Sequence, residues 1–132
     1  MIKFFKRDPE RDDKRSKVYF HQHTSADKKG RHLWKVGVTN DQPRVRRDDY
    51  LRKHPNMVWL ENIRTRWYPI NEDGNLMDRA RFDASLKQNL SPYKTKRSKY
   101  STNPTEMYRG TPKQVLGAIK RTLTEHRRGR NS

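Results

Sequence analysis

Apolar residues fall in short runs along this chain, separated by charged and turn-forming segments. Residues 17–24 carry Val18, Tyr19 and Phe20 and read as a strand. Residues 32–38, with Leu33, Trp34, Val36 and Val38, return as a second. Between them Ala26-Asp27-Lys28-Lys29-Gly30 is turn chemistry, with Gly30 free to take a positive φ, so the pair predicts a β-hairpin. Thr39-Asn40-Asp41 offers side-chain oxygens to cap helix amides, and Pro43 suits a first helical turn. That helix is expected to reach about Lys53, because His54 precedes Pro55.

Residues 57–68 (Met57, Val58, Trp59, Leu60, Ile63, Trp67, Tyr68) predict a third strand, interrupted by Glu61-Asn62. After the turn at Asn71-Glu72-Asp73-Gly74, a second helix is expected from Leu76. Phe82, Leu86 and Leu90 form its i, i+4, i+8 apolar line, and Leu76, Ala80, Asp83 and Lys87 fall on another side. It stops at Ser91-Pro92. Residues 93–104 are basic and irregular. Thr111-Pro112 opens a last helix whose buried stripe is Val115, Leu116, Ile119 and Leu123. The order β-β-α-β-α-α predicts an α+β domain: a small three-stranded antiparallel sheet flanked by about three helices. It occupies 17–123, between a charged arm (1–16) and a basic tail (124–132).

Composition narrows the function. Only 30% of the 132 residues are hydrophobic and 36% are charged, so the core must be thin. Lys and Arg number 32 against 15 Asp and Glu, a net charge of +17. Such a surplus repels itself unless a polyanion is near, and it runs from Lys3 to Arg130, which points to nucleic acid. An anionic membrane is the competing partner, but no strongly amphipathic basic helix stands out. No apolar run is long enough to span a bilayer, and Met1-Ile2-Lys3-Phe4-Phe5-Lys6 lacks the apolar region of a signal peptide. The absence of cysteine excludes disulfides, thiolate zinc sites and a cysteine nucleophile. These features fit a cytoplasmic or virion-associated protein.

Several short motifs then fall in a telling order. Lys17-Val18-Tyr19 ends the first strand's motif in tyrosine, and Lys35-Val36-Gly37 stands on the second strand. Arg44, Arg46 and Arg47 follow on the first helix, with Tyr50 and Leu51 after them. Asp83-Ala84-Ser85-Leu86-Lys87-Gln88-Asn89-Leu90 lies on the second helix, and Glu106-Met107-Tyr108-Arg109 precedes the last. The ordered set, over roughly 17–123, resembles the GIY-YIG nuclease superfamily. The likeness is greatest to its phage and bacterial branch, where Lys begins the second motif. This chain departs from the family with Lys35 for Tyr, Asp83 for Glu and Lys87 for His.

The resemblance implies a metal-dependent endonuclease acting on DNA, encoded by a phage or mobile element. It implies that Asp83 holds Mg²⁺ or Mn²⁺, the remaining ligands being water and phosphate. Tyr19 would deprotonate or orient the attacking water, with the neighbouring cations favouring its phenolate. Lys35 would act as a point charge on phosphate or as a proton carrier. Arg46 would hold a non-bridging oxygen, with Arg44 and Arg47 as alternatives for that place. Gly37 would be structural.

Nucleic-acid contacts are expected from Arg44, Arg47, Lys94, Lys96, Arg97, Lys99 and Arg109, with Tyr93, Tyr100 and Tyr108 as stacking surfaces. RNA is an open alternative to DNA, and the sequence does not fix an oligomeric state. His21-x-His23, with His32 across the hairpin, is a weak zinc candidate that reads better as phosphate contact or plain surface. The other functional reading is a nucleic-acid-binding protein on the same fold that has lost cleavage, towards which Asp83 and Lys87 point.

Overall fold

The alternation of residues 17–38 does produce a hairpin. A computed structural model of the chain describes residues 15–53, 63–70, 79–95 and 107–131, with side chains as far as 127. Strands β1 (Lys17–Ala26) and β2 (His32–Thr39) pair antiparallel, from Lys17 opposite Thr39 to Ala26 opposite His32, with an irregularity between Gln22 and Ala26. Asp27 closes the turn. Its Oδ1 accepts the amides of Lys29 and Arg31, each at 2.9 Å, and Gly30 takes φ +76°. Helix α1 (Pro43–Lys53) follows, with proline at its first position as expected. Strand β3 (Ile63–Pro69) pairs antiparallel with β1, from Lys17 opposite Pro69 to His23 opposite Ile63.

Among the described residues the sheet has four strands, not three. Met107–Gly110 forms β4, antiparallel to His32–Lys35 of β2, and the strand order is β3-β1-β2-β4. Four residues ending in glycine are too short a run for alternation to declare itself, so the sequence hid this strand. Helix α2 (Arg79–Leu90) leads into a 3₁₀ turn, Ser91–Tyr93, and helix α3 (Pro112–Asn131) closes the chain. The class is therefore α+β, in the order β-β-α-β-α-β-α.

Thr111 and Gln114 form a reciprocal cap at the start of α3: the Gln114 amide donates to Thr111 Oγ1 at 3.2 Å and the Thr111 amide to Gln114 Oε1 at 3.0 Å. The helix continues to Asn131, so most of the expected basic tail is helical. Arginine is a good helix former, and tertiary contacts hold this end. His126 packs edge-on against Phe82, and Arg127 donates to the Pro69 carbonyl at 3.1 Å. Residues 1–14, 54–62, 71–78, 96–106 and 132 lie outside the described set. With them go most of the arm, the first half of the third strand, Leu76 and Glu106. Among the described residues no helix is long and apolar enough to cross a membrane.

Alternation gives the sheet two different faces. One carries Val18, Phe20, Trp34 and Val36 against Phe82, Leu86 and Leu90 of α2 and Val115, Ala118, Ile119 and Leu123 of α3. The predicted α3 stripe holds, except that Leu116 is only partly buried. Burying such side chains contributes about 1.5–3 kcal/mol each. Trp34 is fully buried and donates its Nε1 hydrogen to the Gly110 carbonyl at 2.9 Å. The opposite face holds a smaller cluster of Leu33, Tyr50 and Met107 beside Ile63, covered by α1.

Candidate active site

On the face under α1, β1 presents Lys17, Tyr19, His21 and His23, all buried. Tyr19 lies opposite Gly37 on β2. A Cβ at Gly37 would stand 2.8 Å from the Tyr19 hydroxyl oxygen and 3.0 Å from two ring carbons, so the phenol rests on bare backbone and only glycine leaves it room. Burial raises the Tyr19 pKa; the Arg46 and Arg79 guanidiniums pull it down, and Asp83 adds to the rise. The net direction is upward. The expected phenolate is thereby corrected: desolvation outweighs the nearby cations, and the phenol keeps its proton at neutral pH.

Lys35 sits opposite His21 on one side and Met107 on the other. Burial first, then Arg46 and Lys53, press its pKa from 10.5 to about 8, against the pull of Asp83. Arg46 is anchored by Thr39 Oγ1 at 3.2 Å from Nε and by Asp41 Oδ2 at 2.9 Å from Nη2. Thr39 Oγ1 also accepts the Asp41 amide at 3.0 Å. The polar residues before α1 thus turn the chain and hold arginines. Of the three arginines proposed for the phosphate, Arg46 acts electrostatically on both Tyr19 and Lys35. Arg44 and Arg47 instead line a depression towards β3.

Asp83 reaches this group from a different layer. Strand β4 pairs with β2 only over His32–Lys35, and the start of α2 lies along the rest of β2. Arg79 fastens it there, donating to Asn40 Oδ1 at 2.6 Å and to the Val38 carbonyl at 3.1 Å. One helical turn on, Asp83 carries a negative field felt by Tyr19, Lys35 and Tyr108. Its Oδ2 pairs with Lys87 Nζ at 3.0 Å, and its side chain is 34% exposed.

Among the described residues no group of three or more His, Cys, Asp or Glu could cage a metal ion. A lone, partly exposed carboxylate does fit an ion that keeps most of its own water, the habit of magnesium. Asp83 is the residue that would hold it.

Other expected residues are not gathered here. Lys94 and Arg109 are exposed; Lys94 forms an isolated bridge with Tyr108. Lys96, Arg97, Lys99 and Tyr100 lie outside the described residues. Tyr108 is buried in the larger core, with its hydroxyl pushed up to about 12 by burial and by Asp83. It is no stacking surface, because its ring is spent on Trp34, its neighbour across the sheet. Tyr93 is also packed, in part, against that core.

The histidines overturn their surface reading. His21 and His23 are fully buried. His21 Nδ1 is 2.9 Å from Thr65 Oγ1, and its ring stacks at 5.3 Å on Tyr50. Burial, then the Lys35 charge, lowers its pKa to about 3, so it is neutral; Nε2 faces the Arg46 backbone without a well-formed hydrogen bond. His23 Nε2 shares a 2.9 Å hydrogen bond with the Tyr50 hydroxyl, and His32 Nδ1 lies 2.7 Å from the His23 carbonyl. These rings support the site's floor, and a polar strand residue looks like surface until α1 covers it. Arg79 escaped the sequence reading too, although its place four residues before Asp83 was a usable signal.

No family model, no curated protein and no solved structure matches the chain.

Proposed function

We propose that this chain is a divalent-metal-dependent endonuclease that hydrolyses DNA phosphodiester bonds on a GIY-YIG-like domain, as phages and mobile elements encode. One observation carries the reading. Tyr19, Lys35, Arg46 and Asp83 come from four elements far apart in sequence, and they share one electrostatic neighbourhood over a glycine cleared for the phenol.

Each residue has a task suited to its state. The protonated Tyr19 hydroxyl can accept from the attacking water while donating to a phosphoryl oxygen. Lys35, near pH 8, has a minor neutral fraction at neutral pH that can take the water's proton. Its charged majority steadies the phosphate. Arg46, held rigid by Thr39 and Asp41, presents a fixed cation to a non-bridging oxygen. Asp83 would hold Mg²⁺ or Mn²⁺, which when bound supplies Lewis-acid stabilisation to charge developing on phosphoryl oxygen.

A second reading rests on the Asp83–Lys87 ion pair at 3.0 Å, which partly neutralises the carboxylate proposed for the metal. On that reading the chain binds nucleic acid without cutting it. Incubation with supercoiled plasmid, with Mg²⁺ or with chelator, separates the two. Nicking that needs the ion and disappears in Tyr19→Phe supports the nuclease. Tight binding without nicking, by wild type and by Lys87→Ala alike, supports the binding protein. A parallel reaction on single-stranded RNA decides the substrate class.

A further inference from the structure

Between α1 and β3 lies an open depression of about 450 Å³, lined by Arg44, Arg47, Thr65, Arg66, Trp67 and Tyr68. Three of its six lining residues are arginine, and two are aromatic. The proposed chemistry uses none of them, so their concentration here is unexplained by the active site.

Three features define what the depression could hold. First, Arg47 has a buried Nε without a hydrogen-bond partner, and its Nη2 makes only a long 3.8 Å contact with Asp48. The side chain as a whole is 42% exposed, so its outer nitrogens can meet an incoming anion with charge-assisted hydrogen bonds. Second, Trp67 is partly exposed and its indole is held in place: Lys17 Nζ lies 5.4 Å from the ring centroid, fixed in turn by the Arg15 carbonyl at 2.8 Å. An aromatic platform beside guanidiniums is how proteins hold one base and its phosphate together. Third, Trp67 lies directly opposite Tyr19 across the β1–β3 pairing, so both side chains rise from the same face of the sheet. The depression is thus one strand away from the phenol.

We infer that this groove is a nucleotide subsite, taking the nucleotide next to the reacting phosphate, with a phosphate on Arg44 and Arg47 of α1 and a base against Trp67. The placement beside the reacting phosphate rests on the nuclease reading; the binding itself does not. Helix α1 then serves two phosphates, Arg46 the reacting one and Arg44 with Arg47 its neighbour. Its short length and lack of an apolar stripe accord with a helix kept for its arginines.

The test measures binding of a short fluorescein-labelled deoxyoligonucleotide by anisotropy, in chelator so that nothing is cut. Two charge-matched pairs are compared: Arg44→Ala with Arg47→Ala in the groove, and Lys113→Ala with Lys120→Ala, both exposed on α3. The groove pair should bind about thirtyfold more weakly, with a log–log salt slope shallower by about 2, and the α3 pair within about threefold of wild type. Trp67→Ala should lose about tenfold and Trp67→Phe much less. On an oligonucleotide stripped of its bases the Trp67→Ala loss should vanish.

Equal losses from the two charge pairs would overturn the subsite, as would a Trp67→Ala loss that persists on the abasic strand. Should Trp67→Ala fail to fold by circular dichroism, the two charge pairs still decide. Failure of the nuclease reading looks different: wild type would bind, the groove variants would weaken it, and plasmid would stay uncut in Mg²⁺.

Discussion

The two faces of this sheet are built on opposite terms. Towards α2 and α3 the strands present Val18, Phe20, Trp34 and Val36, and the facing helices answer with leucine, isoleucine, valine and phenylalanine. Towards α1 the same strands bury Lys17, Tyr19, His21, His23 and Thr39. Four of the five are held by protein partners: Lys17 on the Arg15 carbonyl, His21 through Nδ1 on Thr65, His23 on Tyr50, Thr39 on Arg46. Such a network stabilises less than an apolar core of equal volume. One face supplies the stability that lets the other hold polar groups in fixed places.

Neighbouring residues on α2 give the largest contrast. If Asp83 holds the metal as proposed, Asp83→Ala should lower plasmid cleavage by about a thousandfold or more while leaving the melting temperature nearly unchanged, because the nearby cations would not fully replace the ion's charge stabilisation. Phe82→Ala, one residue earlier and fully buried, should instead cost about 3–5 kcal/mol of stability. Urea unfolding and nicking rates on both variants would break the comparison if their effects were alike. Asp83→Glu should keep or raise activity.

Acid should find the polar face first. His21 is neutral when folded, with a pKa of about 3, yet titrates near 6.5 when unfolded. Between those values the unfolded chain binds the extra proton, so stability is full above 6.5 and falls as pH drops towards 3, on the order of 1.4 kcal/mol per unit. Denaturant midpoints from pH 7 to 4 should show this decline, and His21→Gln should flatten much of it. An unchanged decline in that variant would assign the acid sensitivity elsewhere.

Gly37→Ala tests the seat of the phenol. The added methyl would collide with the Tyr19 ring, costing about 1–3 kcal/mol and displacing the hydroxyl. Cleavage should therefore fall further than stability alone explains, with DNA affinity preserved. The smallest effects should come from exposed cations. Wild-type affinity should fall with salt at a log–log slope of roughly −5 to −7, and Lys94→Ala or Arg109→Ala should each reduce that slope by about one. A wild-type slope shallower than about −2 would remove the nucleic-acid reading itself.

How much of this was legible beforehand depended on whether the cause was local. The hairpin, the Pro43 start of α1 and the Thr111 cap of α3 are set by neighbours in sequence, and all could be read. So could the line Phe82, Leu86 and Leu90, because helical period places it on one face. Strand β4 could not, for its pairing with His32–Lys35 is a long-range event in a run too short to alternate. In the site, hairpin spacing brought Tyr19 and Lys35 onto facing strands, whereas their roles and that of Gly37 came from the resemblance to the GIY-YIG superfamily. The nearness of Asp83 had no such basis in spacing, since it depends on how α2 docks beside β2. The ionisation of Tyr19 was misjudged for a related reason: the cations are visible in sequence, whereas the burial that outweighs them is not. His21 and His23 failed likewise, as polar residues under a helix the sequence could not yet place.

The short reach of β4 has one more consequence. A strand edge left bare offers its amides and carbonyls to any other chain, and proteins that leave such edges open tend to stack into aggregates. Here the bare half of β2 is occupied by α2, with Arg79 donating to the Val38 carbonyl where a neighbouring strand's amide could otherwise bind. The helix that delivers the acidic residue is also the guard that keeps this sheet from growing. Solubility and catalysis would then be tied to a single guanidinium, and loss of Arg79 would expose both at once.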